Sequence, residues 1–93
     1  MTSNQFSGDN ERLPEADLAA FERATDIYRA LIALVDARLD QVSDPAVAEQ
    51  LRDDAQRYAA ERRALSAIDR AGVQRVIDEY PALVRDLRDS LGS

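Results

Sequence analysis

Three consecutive segments with helical spacing of apolar residues, turn chemistry between them and no strand-like alternation predict an all-α fold. The expected architecture is an antiparallel helical bundle of three segments: a long helical hairpin followed by a third segment split at Pro81. At 93 residues and 45% apolar composition, the chain suits one modest core and a single domain over residues 14–91.

Residues 1–13 hold Ser3, Asn4, Ser7, Gly8, Asp9 and Asn10 with no periodicity, and read as a mobile N-terminal tail in which Phe6 is the one large aromatic group able to dock. The first helix is expected from Pro14 or Glu15, because proline is pre-organised for the first turn and Glu15 and Asp17 suit the positive end of the helix dipole. It should run to about Gln41. Phe21, Tyr28, Val35 and Val42 recur at sevens, with Leu18, Ala24, Leu31, Ile32 and Leu39 beside them. Between Ile27 and Val35 the one charged residue is Arg29, so this stretch must be covered from more than one direction.

Ser43-Asp44-Pro45 combines a side-chain cap with a first-turn proline, which predicts a tight hairpin into a second helix. That helix is expected from Pro45 to about Ala71, with Val47, Leu51, Ala55, Tyr58, Leu65 and Ile68 along one stripe and Arg57 spaced to pair with Asp53 and Glu61. Gly72 is the simplest terminator, and Ser66 with Asp69 offers an earlier break. Beyond it Val73, Ile77, Tyr80, Val84, Leu87 and Leu91 alternate at spacings of four and three, a heptad seam. Pro81 interrupts that seam, which predicts two short helices, Val73–Glu79 and Pro81–Leu91. A first helix of 28 residues would be roughly 42 Å long, more than the third segment can cover. The surplus apolar surface calls for dimerisation or a partner helix.

The side-chain inventory bounds the chemistry. There is no histidine, cysteine, lysine or tryptophan, so no Ser-His-Asp or Cys-His pair, ordinary zinc site, Schiff base or P-loop lysine can be built. No enzyme activity and no cofactor are expected. Twelve arginines against eighteen acids leave a net charge of −6, which disfavours nucleic acid and anionic membranes as partners. No apolar run reaches the roughly 20 residues of a membrane span, and no signal peptide is recognisable, so a cytoplasmic location is expected. Residues 57–75 carry five arginines against two acids, a basic island within an acidic chain.

Carboxylate pairs at Glu22/Asp26, Asp36/Asp40, Asp53/Asp54 and Asp78/Glu79 have a spacing that can hold magnesium, as glutamate clusters do in all-α nucleoside triphosphate pyrophosphohydrolases. The paired glutamates and nearby lysines of those enzymes are missing, and a solvated acidic face is the plainer reading. Ala71-Gly72-Val73 resembles the turn of a helix-turn-helix over residues 64–80, with Gln74 and Arg75 opening the second helix, but Asp78, Glu79 and Pro81 follow on it. Asp89-Ser90-Leu91 resembles the phosphopantetheine tripeptide of acyl carrier proteins, without their following helices.

The expectation that fits best is a protein–protein interaction module, an adaptor, docking domain or small regulator, acting on a protein partner or on itself as a homodimer. Its interaction residues would be Leu31, Ile32 and Val35 of the first helix and Val73, Ile77, Tyr80, Val84 and Leu87 of the last, with Arg62, Arg63, Arg70 and Arg75 steering an acidic patch. The alternative is an inhibitor or antitoxin-like protein whose carboxylates, around Asp36, Asp40, Asp44, Asp53 and Asp54, imitate nucleic acid.

Overall fold

The computed structural model describes residues 14–92; the tail 1–13 and the docking of Phe6 lie outside the described residues. Three helices, α1 (Glu15–Leu39), α2 (Pro45–Ala64) and α3 (Arg70–Gly92), account for all the regular structure described. The fold is the all-α bundle that the periodicity predicts.

α1 begins after Pro14, whose extended ψ of 147° sets the entry and whose carbonyl accepts the Asp17 and Leu18 N–H groups. Glu15 and Asp17 lie in its first turn and Arg38 in its last, each with the favourable sign for the helix dipole. The hairpin follows as expected: the Asp44 carboxylate accepts the Ala46 N–H at 2.9 Å, and Pro45 opens α2.

The second connection differs from the simplest reading. α2 stops at Ala64, Leu65 is extended, and Ser66–Asp69 forms the turn, with the Asp69 N–H donating to the Ser66 carbonyl at 3.0 Å. Asp69 then caps α3 by accepting the Gly72 N–H at 3.0 Å. Gly72 therefore sits in the first turn of α3 and does not terminate α2. A Cβ at Gly72 would run into the Asp69 carboxylate, so the glycine leaves room for the cap. Ile68, placed by its spacing on the α2 stripe, falls in the turn and is 75% exposed.

α3 is one continuous helix through Pro81, not two short ones. Proline removes the hydrogen bond to the Ile77 carbonyl, but Val73, Val76, Tyr80 and Val84 are all buried on one side of α3, and this packing spans the proline. With α1 at 25 residues and α3 at 23, the two helices nearly match in length. Apolar surface that the described residues leave uncovered thus lies alongside them and not beyond an end.

α1 is the hub. It packs against both α2 and α3, while no Cα pair between α2 and α3 lies within 8 Å among the described residues. The core is Ala24, Tyr28, Leu31 and Val35 of α1, Leu51 and Tyr58 of α2, and the four buried α3 residues. Leu31 and Val35 are almost fully enclosed, each contributing roughly 1.5–3 kcal/mol by leaving water. α3 runs in the same direction as α1, with Arg70 paired to Asp17 at 2.8 Å at the lower end and Tyr80 against Tyr28 halfway up.

Candidate functional site

Two of the clefts along α1 stand out, and their chemistry differs. The first is a cavity of about 290 Å³ where all three helices meet, lined by Tyr28, Glu61, Leu65, Arg75 and Tyr80 among others. The Tyr28 and Tyr80 hydroxyls both donate to Glu61 Oε1, at 3.1 and 2.7 Å. The two rings meet edge to face at 5.4 Å between centroids, and Tyr58 meets Tyr80 at 6.2 Å. Arg57 lies over the Tyr58 ring at 4.9 Å and approaches Glu61 Oε2 at 3.8 Å. Burial, and after it the hydrogen bond to Glu61, pushes both the Tyr28 and Tyr80 hydroxyls above the usual phenol value. Arg75 is held above its ordinary value first by Tyr80 and then by Glu79; Arg57, despite desolvation working the other way, is raised by Tyr58, Asp54 and Glu61.

Every polar group here has its counterpart within the fold. Among the described residues no buried side-chain nitrogen or oxygen lacks a hydrogen-bond partner. The cluster acts as a polar clasp, tying α2 and α3 to α1 through one carboxylate.

The second cleft is an open groove of about 840 Å³ between α1 and α3. Its floor is apolar: Ala20, Ile27 and Ala30 from α1, Ile77, Pro81 and Val84 from α3. Arg23 borders it on the α1 side and Arg85 and Arg88 on the α3 side. All three are exposed, and among the described residues none is paired with a carboxylate. Two acids also line the groove, Glu22 and Asp26; Asp26 is already bound to Arg29 at 2.6 Å.

The residues that sequence periodicity nominates for an interaction face are divided by the structure. Leu31, Val35, Val73, Tyr80 and Val84 are buried in the domain's own core, whereas Ile32, Ile77 and Leu87 are half-buried. Ile77 and the edge of Val84 reach the groove. The basic island has local work: Arg62 and Arg63 fall in the last turn of α2, where positive charge is favoured. Arg70 bonds Asp17 and Arg75 pairs with Glu79 at 3.5 Å. Arg57 pairs with Asp54 and Glu61, not with Asp53. Arg23 is remote in the chain from Arg85 and Arg88, so no run of neighbours marks the three; their signal is that Arg23 shares a helical face with Ala20, Ile27 and Ala30, as Arg85 and Arg88 do with Ile77 and Pro81.

Ala71, Gly72 and Val73 are helical, within α3, and the turn is at residues 65–69. Of the five carboxylates nominated as a nucleic-acid mimic, Asp44 is the α2 cap and Asp54 accepts from Gln50 and Arg57, leaving Asp36, Asp40 and Asp53 exposed. Among the described residues no three acidic side chains converge in a way that could hold a metal ion, and no helix is long and apolar enough to cross a membrane. Comparison with protein-family models, with curated proteins and with solved structures finds no match to this chain.

Proposed function

We propose that this chain is a non-catalytic interaction module, an adaptor or small regulator that receives a helix of a protein partner in the groove between α1 and α3. The observation that carries the reading is the apolar floor of that groove, which the described residues leave uncovered because α3 closes only one flank of α1 and α2 occupies another. A fourth helix laid there would complete a four-helix arrangement, by the same ridge-and-groove packing that joins α1 to its neighbours. The side-chain inventory supports this reading over catalysis, since the carboxylates are dispersed and the buried tyrosine hydroxyls are spent on Glu61.

Site-specific photo-crosslinking in cells tests it. A photoreactive residue at Ala30, facing the groove, is expected to give a discrete protein adduct, while one at Gln56, on the exposed side of α2, gives none. Equal labelling from both positions, or none from Ala30, would overturn the assignment.

A second reading, the acidic mimic, is supported by the exposed Asp36, Asp40 and Asp53 near the α1–α2 hairpin. It requires binding that collapses as salt rises and that is lost when these three are changed to asparagine together.

A further inference from the structure

We propose that the occupant of the α1–α3 groove is an acidic amphipathic helix of another protein, held by Arg23, Arg85 and Arg88; this rests on the reading of the groove as a docking surface. The charge pattern runs against that of the molecule as a whole. In a chain of net charge −6, three guanidiniums with no carboxylate partner among the described residues border one apolar trough. With Asp26 neutralised by Arg29, Glu22 is the single carboxylate of the lining that opposes them. Two arginines on one wall and one on the other would straddle a helix lying between them, meeting carboxylates on both sides of its apolar stripe.

The dimensions fit a short helix. From Ala20 to Ala30, and from Ile77 to Arg88, the lining spans roughly 15–17 Å of helix at 1.5 Å per residue, about three turns. The small side chains Ala20 and Ala30 on the α1 wall let a partner backbone come close, and Ile27, Ile77 and Val84 supply apolar contact. A second copy of this chain is a poorer occupant. Two grooves apposed about a two-fold axis would set Arg23, Arg85 and Arg88 of each copy against an equally basic rim, and each copy adds its own −6.

The test uses two designed peptides of about three turns with one shared leucine-alanine stripe, flanked by glutamates in one and by lysines in the other. Binding to the intact chain is followed by fluorescence anisotropy. Net charge alone would favour the lysine peptide, so a preference for the glutamate peptide reports the local rim. The expected result is about tenfold tighter binding of the glutamate peptide, a preference that disappears in R23Q/R85Q/R88Q. It should also shrink between about 0.05 and 0.5 M salt. The variant changes exposed side chains only, and unchanged circular dichroism verifies its fold. An I77D variant should weaken both peptides.

If both peptides bind equally, or the lysine peptide binds better, the charge assignment is overturned while the docking surface stands. If neither binds, both fall. Concentration-dependent self-association in sedimentation equilibrium that I77D abolishes would make a second copy the occupant and overturn the proposal.

Discussion

The tyrosine clasp and the α1–α3 groove share the walls of two helices, yet one is closed on itself and the other is open. At the clasp, Glu61 reaches from α2 and absorbs the hydroxyls of α1 and α3, so the polar atoms of three elements satisfy one another in a partly buried setting. At the groove, no third element arrives among the described residues. The apolar floor there is bordered by arginines that no described carboxylate neutralises. The contrast separates polar side chains that hold the domain together from those left to meet something else. A buried hydroxyl must be bonded within the fold because its desolvation is costly, whereas an exposed guanidinium stays hydrated and can wait.

The largest effect is expected where both regions depend on one residue. Leu31 is fully enclosed on α1, and L31D would place an unpaired charge there, at roughly 4 kcal/mol or more. Urea denaturation followed by circular dichroism should find little folded protein. A variant with wild-type stability would show that the α1 core face is wrongly assigned.

Changes at Pro81 and at Glu61 should separate the two regions. Pro81 denies the Ile77 carbonyl its helical donor, so P81A should stabilise the domain by roughly 1–3 kcal/mol in thermal melts. A loss of stability would mean that the ring's packing outweighs the missing bond. E61L leaves the Tyr28 and Tyr80 hydroxyls without their acceptor, and about 1–3 kcal/mol should be lost. Y28F/Y80F in the E61L background should recover part of it.

The clasp also carries a pH signature. Both hydroxyls are raised in the fold above the 10.0 of an ordinary tyrosine. The folded state therefore prefers the protonated phenols. Their contribution is whole below about pH 10 and is lost as pH climbs through the folded values. Phenolate absorbance should show Tyr28 and Tyr80 ionising late, with unfolding. Normal titration of Tyr28 and Tyr80 in the folded protein would break the clasp assignment.

The smallest effect belongs to the turn joining the two arms. D69A removes the α3 cap and should cost about 1 kcal/mol. G72A improves helix propensity by up to about 1 kcal/mol but presses on the Asp69 carboxylate, so alone it should change little. Combined with D69A it should stabilise, because the clash is gone. A double variant no more stable than D69A would mean that Gly72 has another role.

How far the sequence reveals these features depends on whether the relevant contact is local. The starts of α1 and α2 were legible because Pro14, Asp44 and Pro45 act within one turn, and the core residues Tyr28, Leu31, Val35, Val73, Tyr80 and Val84 because helical spacing exposes a face. The continuity of α3 was not legible: the local cost of Pro81 is visible, but the tertiary packing of Val76, Tyr80 and Val84 across it is not. Gly72 misled for a related reason, since a glycine that ends one helix and a glycine that clears space for the cap of the next look alike without Asp69 beside it. The basic island drew notice as a run of neighbours, although Arg70 finds its acid 53 positions away. Arg23, Arg85 and Arg88, brought together only when α3 lies along α1, gave no such run.

Pro81 faces the groove, and the residue before it, Tyr80, points to the other side of α3, where its ring touches Tyr58 and its hydroxyl holds Glu61. The described hydrogen bonds and ring contacts between the two outer helices gather at that single tyrosine. A helix seated on the open flank would therefore lie one residue away from the side chain that joins the outer helices, beside the place where α3 lacks a rung of its ladder.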